Sequence, residues 1–134
     1  MKKNNKYYTP EIEEFHVGFE YEWLNISNGE WLKKIYSSMS CPYNAPERTR
    51  VKHLDKKDIE SLGWEMLNLK WNKVSDERTY KLDKYTMLFF GYNISKNNKH
   101  LKGRVTIYEY EDILFNGSIK NISELKILIK KLNI

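Results

Sequence analysis

The chain has 134 residues, with 23 Lys and Arg against 18 Asp and Glu and a single cysteine. Its 40% hydrophobic and 14% aromatic content is enough to bury a core without disulfides or metal, which argues against wholesale disorder despite a mean hydropathy of −0.74. Collagenous, disulfide-scaffold and membrane-spanning classes are excluded: no stretch approaches the roughly 18 consecutive apolar residues of a transmembrane helix, and no apolar segment follows the basic residues of MKKNNKYYTPEIEE.

In chain order, residues 1–10 read as a flexible basic leader that frays unless Tyr7 and Tyr8 dock, and 11–134 as one α+β domain. Phe15, Val17, Phe19, Tyr21 and Trp23 alternate with His16, Gly18, Glu20 and Glu22, the period of two of a half-buried strand with the aromatic face inward. Asn28-Gly29 predicts a type I′ turn, with Trp31 to Tyr36 returning as the hairpin partner. SSMSCPYNAPE reads as a surface loop and Arg48 to Leu54 as a strand. Asp55 is placed to cap a short helix near 56–62, closed by Gly63.

Residues 64–79 fit a strand or an irregular crossover. Tyr80 to Tyr92 ends in YTMLFFGY, the pattern of a central strand covered on both faces. NISKNNKHLKG is a polar, basic loop; Arg104 to Tyr110 alternates as a strand, and ILFNGSI predicts a hairpin turn at Asn116-Gly117. At the carboxyl end Leu125, Leu128, Ile129 and Leu132 form an apolar stripe opposite Lys126, Lys130 and Lys131, predicting an amphipathic helix over about 123–133 capped by Ser123 or Asn121. Packed on a mainly antiparallel sheet, it makes an α+β, two-layer fold.

Charge is unevenly distributed. Glu11, Glu13, Glu14, Glu20, Glu22 and Glu30 fall in a span without Lys or Arg, and Glu14, Glu20 and Glu22 form a candidate acidic face. Glu20 and Glu22 share strand parity with His16, a donor set that a hard metal or acid–base chemistry can use, against the plainer reading of a solvated strand face. Arg48, Arg50 and Lys52 alternate on one strand, and Lys96, Lys99, Lys102 and Arg104 crowd a second segment around His100. These seven cations form a candidate basic patch that can contact phosphates. The composition, with 19 Lys, 4 Arg, 13 Asn and one Ala, also reflects AT-biased codons, so lysine richness alone is weak support for nucleic-acid binding. Tyr43, Trp71, Tyr92, Tyr108 and Tyr110 are candidate stacking residues, against the favoured reading that most of the aromatics are structural, with exposed Tyr and Trp suiting a protein interface.

Cys41 lies far in sequence from His16, His53 and His100 and reads as a spectator thiol. Phosphate-cradling glycine loops, nucleophile elbows and zinc-protease motifs are all missing, so no cofactor, metal or catalytic residue is expected. The sequons at Asn25, Asn93, Asn116 and Asn121 reflect asparagine richness.

Three blocks, YYTPEIEEFHVGFEYEW, RVKHLDKKDIESLGWE and EDILFNGSIKNISELKILIKKLNI, resemble a group of small uncharacterised proteins encoded by bacteriophages and mobile elements of AT-rich bacteria. The resemblance implies that origin and no assigned activity. The expectation is a non-enzymatic interaction module in the host cytoplasm or the virion, binding a host, defence or virion protein, with nucleic-acid binding through the basic patch as the alternative and no membrane partner.

Overall fold

A computed structural model of the chain describes residues 6–37, 46–67, 76–92, 94 and 96–134. The Ser/Pro segment with Cys41 and Tyr43, and the stretch holding Trp71, lie outside them. The fold is α+β, built as two antiparallel sheets with short helices. The chain divides into two compact units, residues 1–53 and 54–134.

The first unit holds β1 (Tyr7–Tyr8), β2 (Glu20–Asn25), β3 (Glu30–Ile35) and β4 (Thr49–Lys52), ordered β1-β4-β2-β3. Tyr7 and Tyr8 do dock, opposite Lys52 and Val51. The strand expected from Phe15 begins only at Glu20. A 3-10 turn over Ile12–Glu14 precedes it, and the Phe19 amide donates to the His16 carbonyl (2.9 Å), closing a tight turn with Gly18 at φ 95°. That turn throws Val17 outward, 72% exposed, while Phe19 and Tyr21 go inward with Val51. Phe15, Trp23, Tyr8 and Tyr36 pack around this small core, and Phe15 stands edge-on to Phe19, Tyr21 and Tyr36.

The β2–β3 hairpin forms as expected, through a different turn. Asn25 lies opposite Glu30, so four residues cross over rather than two. Gly29, left-handed at φ 73°, donates its amide to the Asn25 carbonyl (2.8 Å). The Asn25 and Asn28 side chains accept from the Ser27 and Glu30 amides, which meets the backbone's needs in a polar loop.

The second unit opens with α1 (Lys56–Ser61). Asp55 and Asp58 cap it reciprocally, and Gly63, at φ 96°, ends it. The strands β5 (Glu65–Leu67), β6 (Glu77–Leu82), β7 (Tyr85–Phe90), β8 (Arg104–Glu109) and β9 (Asp112–Ser118) follow as a meander in that spatial order. The segment read as one strand over Tyr80 to Tyr92 is therefore two, joined at Asp83-Lys84 with Asp83 left-handed at φ 53°. The central strand is β7, and it is fully buried only at alternate residues, Met87 and Phe89.

Asn116-Gly117 is not a turn. Both residues lie within β9, and the β8–β9 turn sits at Tyr110-Glu111 with Tyr110 at φ 55°. The glycine answers a packing need instead: a Cβ on Gly117 would lie 2.9 Å from the Phe115 ring. A bulge at Ile107/Tyr108 accommodates the extra residue of β9.

The last helix, α2 (Ile122–Lys131), is capped by Asn121, whose side chain accepts from the Glu124 amide (3.0 Å). Leu125 is completely buried with Val105, Ile107, Met87, Phe89 and Tyr80, and Leu128, Ile129 and Leu132 pack beside it, so the helix covers the sheet as its stripe predicts. Lys126, Lys130 and Lys131 face outward. Tyr92 secures the loop before β8: its hydroxyl donates to the Ile119 carbonyl (3.0 Å), over Gly103 at φ 72°, where a side chain would collide with the ring. Among the described residues no helix is long and apolar enough to cross a membrane.

Candidate functional site

The candidate residues fall in both units. Arg48, Arg50 and Lys52 belong to the first, with Glu14, Glu20 and Glu22, whereas Lys96, Lys99, Lys102 and Arg104 belong to the second. In the first unit the acidic and basic candidates are neighbours. Antiparallel pairing places Glu22 opposite Arg50, and the guanidinium donates from Nη2 (2.9 Å) and Nε (3.2 Å) to Glu22 Oε1.

The faces of the guanidinium are also occupied. Arg50 Cζ lies 3.7 Å from the centroid of the Tyr7 ring and 4.2 Å from that of Trp31, on β1 and β3 respectively. Strand parity explains the convergence. Tyr7, Arg50, Glu22 and Trp31 all project from the same face of the sheet, opposite the face that carries Phe19, Tyr21 and Val51. The aromatic faces attract the cation and Glu22 fixes its edge, so a side chain with high rotamer entropy is held in one pose. Arg50 keeps 24% of its side chain exposed and Glu22 18%. Among the described residues, Arg50 Nη1 and Glu22 Oε2 make no hydrogen bond.

Arg48 is engaged differently, donating from Nε (3.0 Å) and Nη2 (2.8 Å) to the Leu24 carbonyl with its guanidinium over Trp23. Lys52 is half-buried at the end of β4. Glu14 accepts the Tyr8 hydroxyl (2.6 Å) and the Glu11 amide (2.8 Å), making it a capping residue, and Glu20 sits half-buried opposite Ile35. His16 Nδ1 bonds the Glu14 carbonyl (3.0 Å). Among the described residues no group of three or more His, Cys, Asp and Glu is arranged to hold a metal ion.

In the second unit, Lys96 and Lys99 lie exposed on a 3-10 stretch over Lys96–Leu101, and Lys102 follows with its ammonium 5.7 Å from the Tyr92 ring centroid. Arg104 Nε donates to the Asn116 side chain (3.1 Å). Tyr7 and Trp31, read from the sequence only as a docking residue and a hairpin residue, were not among the candidate site residues of the first unit. The Glu22–Trp31 side of the hairpin was available from parity alone, but the insertion of β4 between β1 and β2 is a long-range pairing with no local signature.

No protein-family model matches the chain, and comparison with curated proteins and with solved structures finds no match.

Proposed function

We propose that the protein is a non-enzymatic interaction module that docks onto a protein partner through the Tyr7–Arg50–Trp31 face of its first unit. The observation that carries this reading is the guanidinium held between two aromatic rings with donors to spare. Trp, Tyr and Arg dominate the energetically decisive positions of protein interfaces, and a preordered side chain loses little entropy when a partner arrives. Arg50 Nη1 suits a partner carboxylate, and the neighbouring Glu22 Oε2 suits a donor. The resemblance of the three sequence blocks to small phage and mobile-element proteins supports an origin in such an element, and with it a host, defence or virion protein as partner.

The test begins with affinity capture by the full chain at low salt from several candidate hosts, followed by titration of the recovered protein against variants. Trp31→Ala and Arg50→Lys, which keeps the charge and loses the planar fork, should each weaken binding by about tenfold or more, the effect of losing roughly 1.4 kcal/mol. Recovery of nothing stoichiometric, or equal affinity for Trp31→Ala, would overturn the reading.

A second reading, nucleic-acid binding, draws on the exposed Lys96, Lys99 and Lys102, the last of them beside Tyr92. It predicts affinity for DNA or RNA that falls steeply with salt, and a Lys99→Gln/Lys102→Gln double variant should flatten the log–log slope by about 1 to 2. If neither single- nor double-stranded probes shift at about 50 mM salt, where such contacts are strong, the reading fails.

A further inference from the structure

Among the described residues, strand β3 ends its sheet, and its outer edge differs from those of β1, β5 and β9. Edges are ordinarily blunted by shortness, bulges, proline or charge. β1 has two residues and β5 three, and β9 pairs through a bulge. β3 has six residues, no proline and no bulge in its register with β2, and its charges, Glu30, Lys33 and Lys34, are of both signs, so they can pair across a two-fold axis instead of only repelling. Along it Leu32 is 38% and Ile35 69% exposed, and Ile26, in the adjoining turn, 69%.

The direction of the open backbone groups follows from the ladder. The Tyr36 amide donates to the Phe19 carbonyl (2.8 Å), so Tyr36 bonds toward β2. Antiparallel pairs alternate between bonded and non-bonded. Counting back along the register, Lys34, Leu32 and Glu30 bond to β2, and the amides and carbonyls of Ile35, Lys33 and Trp31 point away from it.

We infer that a second copy of this chain occupies that edge, β3 pairing antiparallel with β3 about a two-fold axis at Leu32. The outward groups must meet outward groups, which restricts the axis to a residue rather than a peptide bond. An axis at Lys33 places Lys33 against itself, a like-charge pair that destabilises a sheet. An axis at Leu32 places Leu32 against Leu32, Glu30 against Lys34 of the second copy on one face, and Trp31 against its Lys33 on the other. Each polar contact is repeated by the symmetry, giving two ion pairs and two ammonium–indole contacts around an apolar centre. The product is one continuous sheet running β1-β4-β2-β3-β3-β2-β4-β1, with an Arg50 cluster in each half.

Sedimentation equilibrium of the full-length chain over a range of concentrations tests this. The wild type should self-associate to a dimer. Lys34→Glu or Glu30→Lys alone, at exposed positions where folding is retained by circular dichroism, should each weaken dimerisation about tenfold, because one change sets two like-charge pairs opposite each other. Combining them in one chain reverses both signs and should restore the wild-type dissociation constant to within about threefold. A wild type that stays monomeric at about 100 μM, weak for any specific pairing, overturns the inference, as does a dimer indifferent to Lys34→Glu or a double variant that fails to recover.

Discussion

Leu125→Ala should destabilise the second unit by about 3 kcal/mol, within the 2–5 kcal/mol range of buried Leu truncations. Leu125 is completely buried and shares its core with Val105, Ile107, Met87 and Tyr80, so truncation loses transfer free energy and leaves a space that sheet and helix cannot both close. The exposed Lys131→Ala change on the same helix should stay within about 0.5 kcal/mol. Urea unfolding of both variants, followed by circular dichroism, separates the core contribution of α2 from its helix propensity. A Leu125→Ala loss below about 1 kcal/mol would contradict a helix seated on the sheet.

Alkaline pH should expose a second large effect, at Tyr80. Its ring is completely buried, and its hydroxyl finds no partner among the described residues. Desolvation foremost pushes the phenol up from 10.0 to about 12; Arg78 opposes the shift, and Glu60, Asp76 and Asp55 add to it. Below pH 10 the phenol is neutral in both folded and unfolded chains, and its contribution is fully present. Between pH 10 and 12 the unfolded chain releases the proton and the folded one retains it, so stability falls as pH rises, by up to about 3 kcal/mol in all. Tyr80→Phe should lack this component, and the wild-type minus variant difference across pH 9–12 isolates it from the lysines. At neutral pH the same variant should be neutral or more stable, since it removes an unsatisfied buried hydroxyl. A pH-independent difference between the two proteins would refute the buried-phenol account.

Local signals account for what was readable in advance. Asp55 and Gly63 frame α1, and Asn121 with the Leu125-Leu128-Ile129-Leu132 stripe defines α2, because caps and helical stripes are written within a dozen residues. Turn dipeptides were less decisive. Asn28-Gly29 lies in a hairpin loop, yet Asn116-Gly117 lies inside β9, where Phe115 sets the demand for glycine and Tyr110 takes the left-handed position at the real turn. The period of two from Phe15 was interrupted at Gly18 because a backbone turn outranks side-chain alternation. The site was least legible. Glu22 and Arg50 are 28 residues apart, so a chain that displays separate acidic and basic stretches conceals an ion pair formed by strand order.

That strand order also sets a tempo. In the second unit every strand pairs with its sequence neighbours, so no strand has to pass another to reach its partner. In the first unit β4 must travel back past the β2–β3 hairpin to lie between β2 and β1, and Tyr7 and Trp31 meet Arg50 only when it arrives. The aromatic clasp thus needs the β2–β3 hairpin in place and β4 returned to it. A chain emerging from the ribosome therefore presents its paired β2–β3 hairpin well before it acquires the face proposed to recognise a partner.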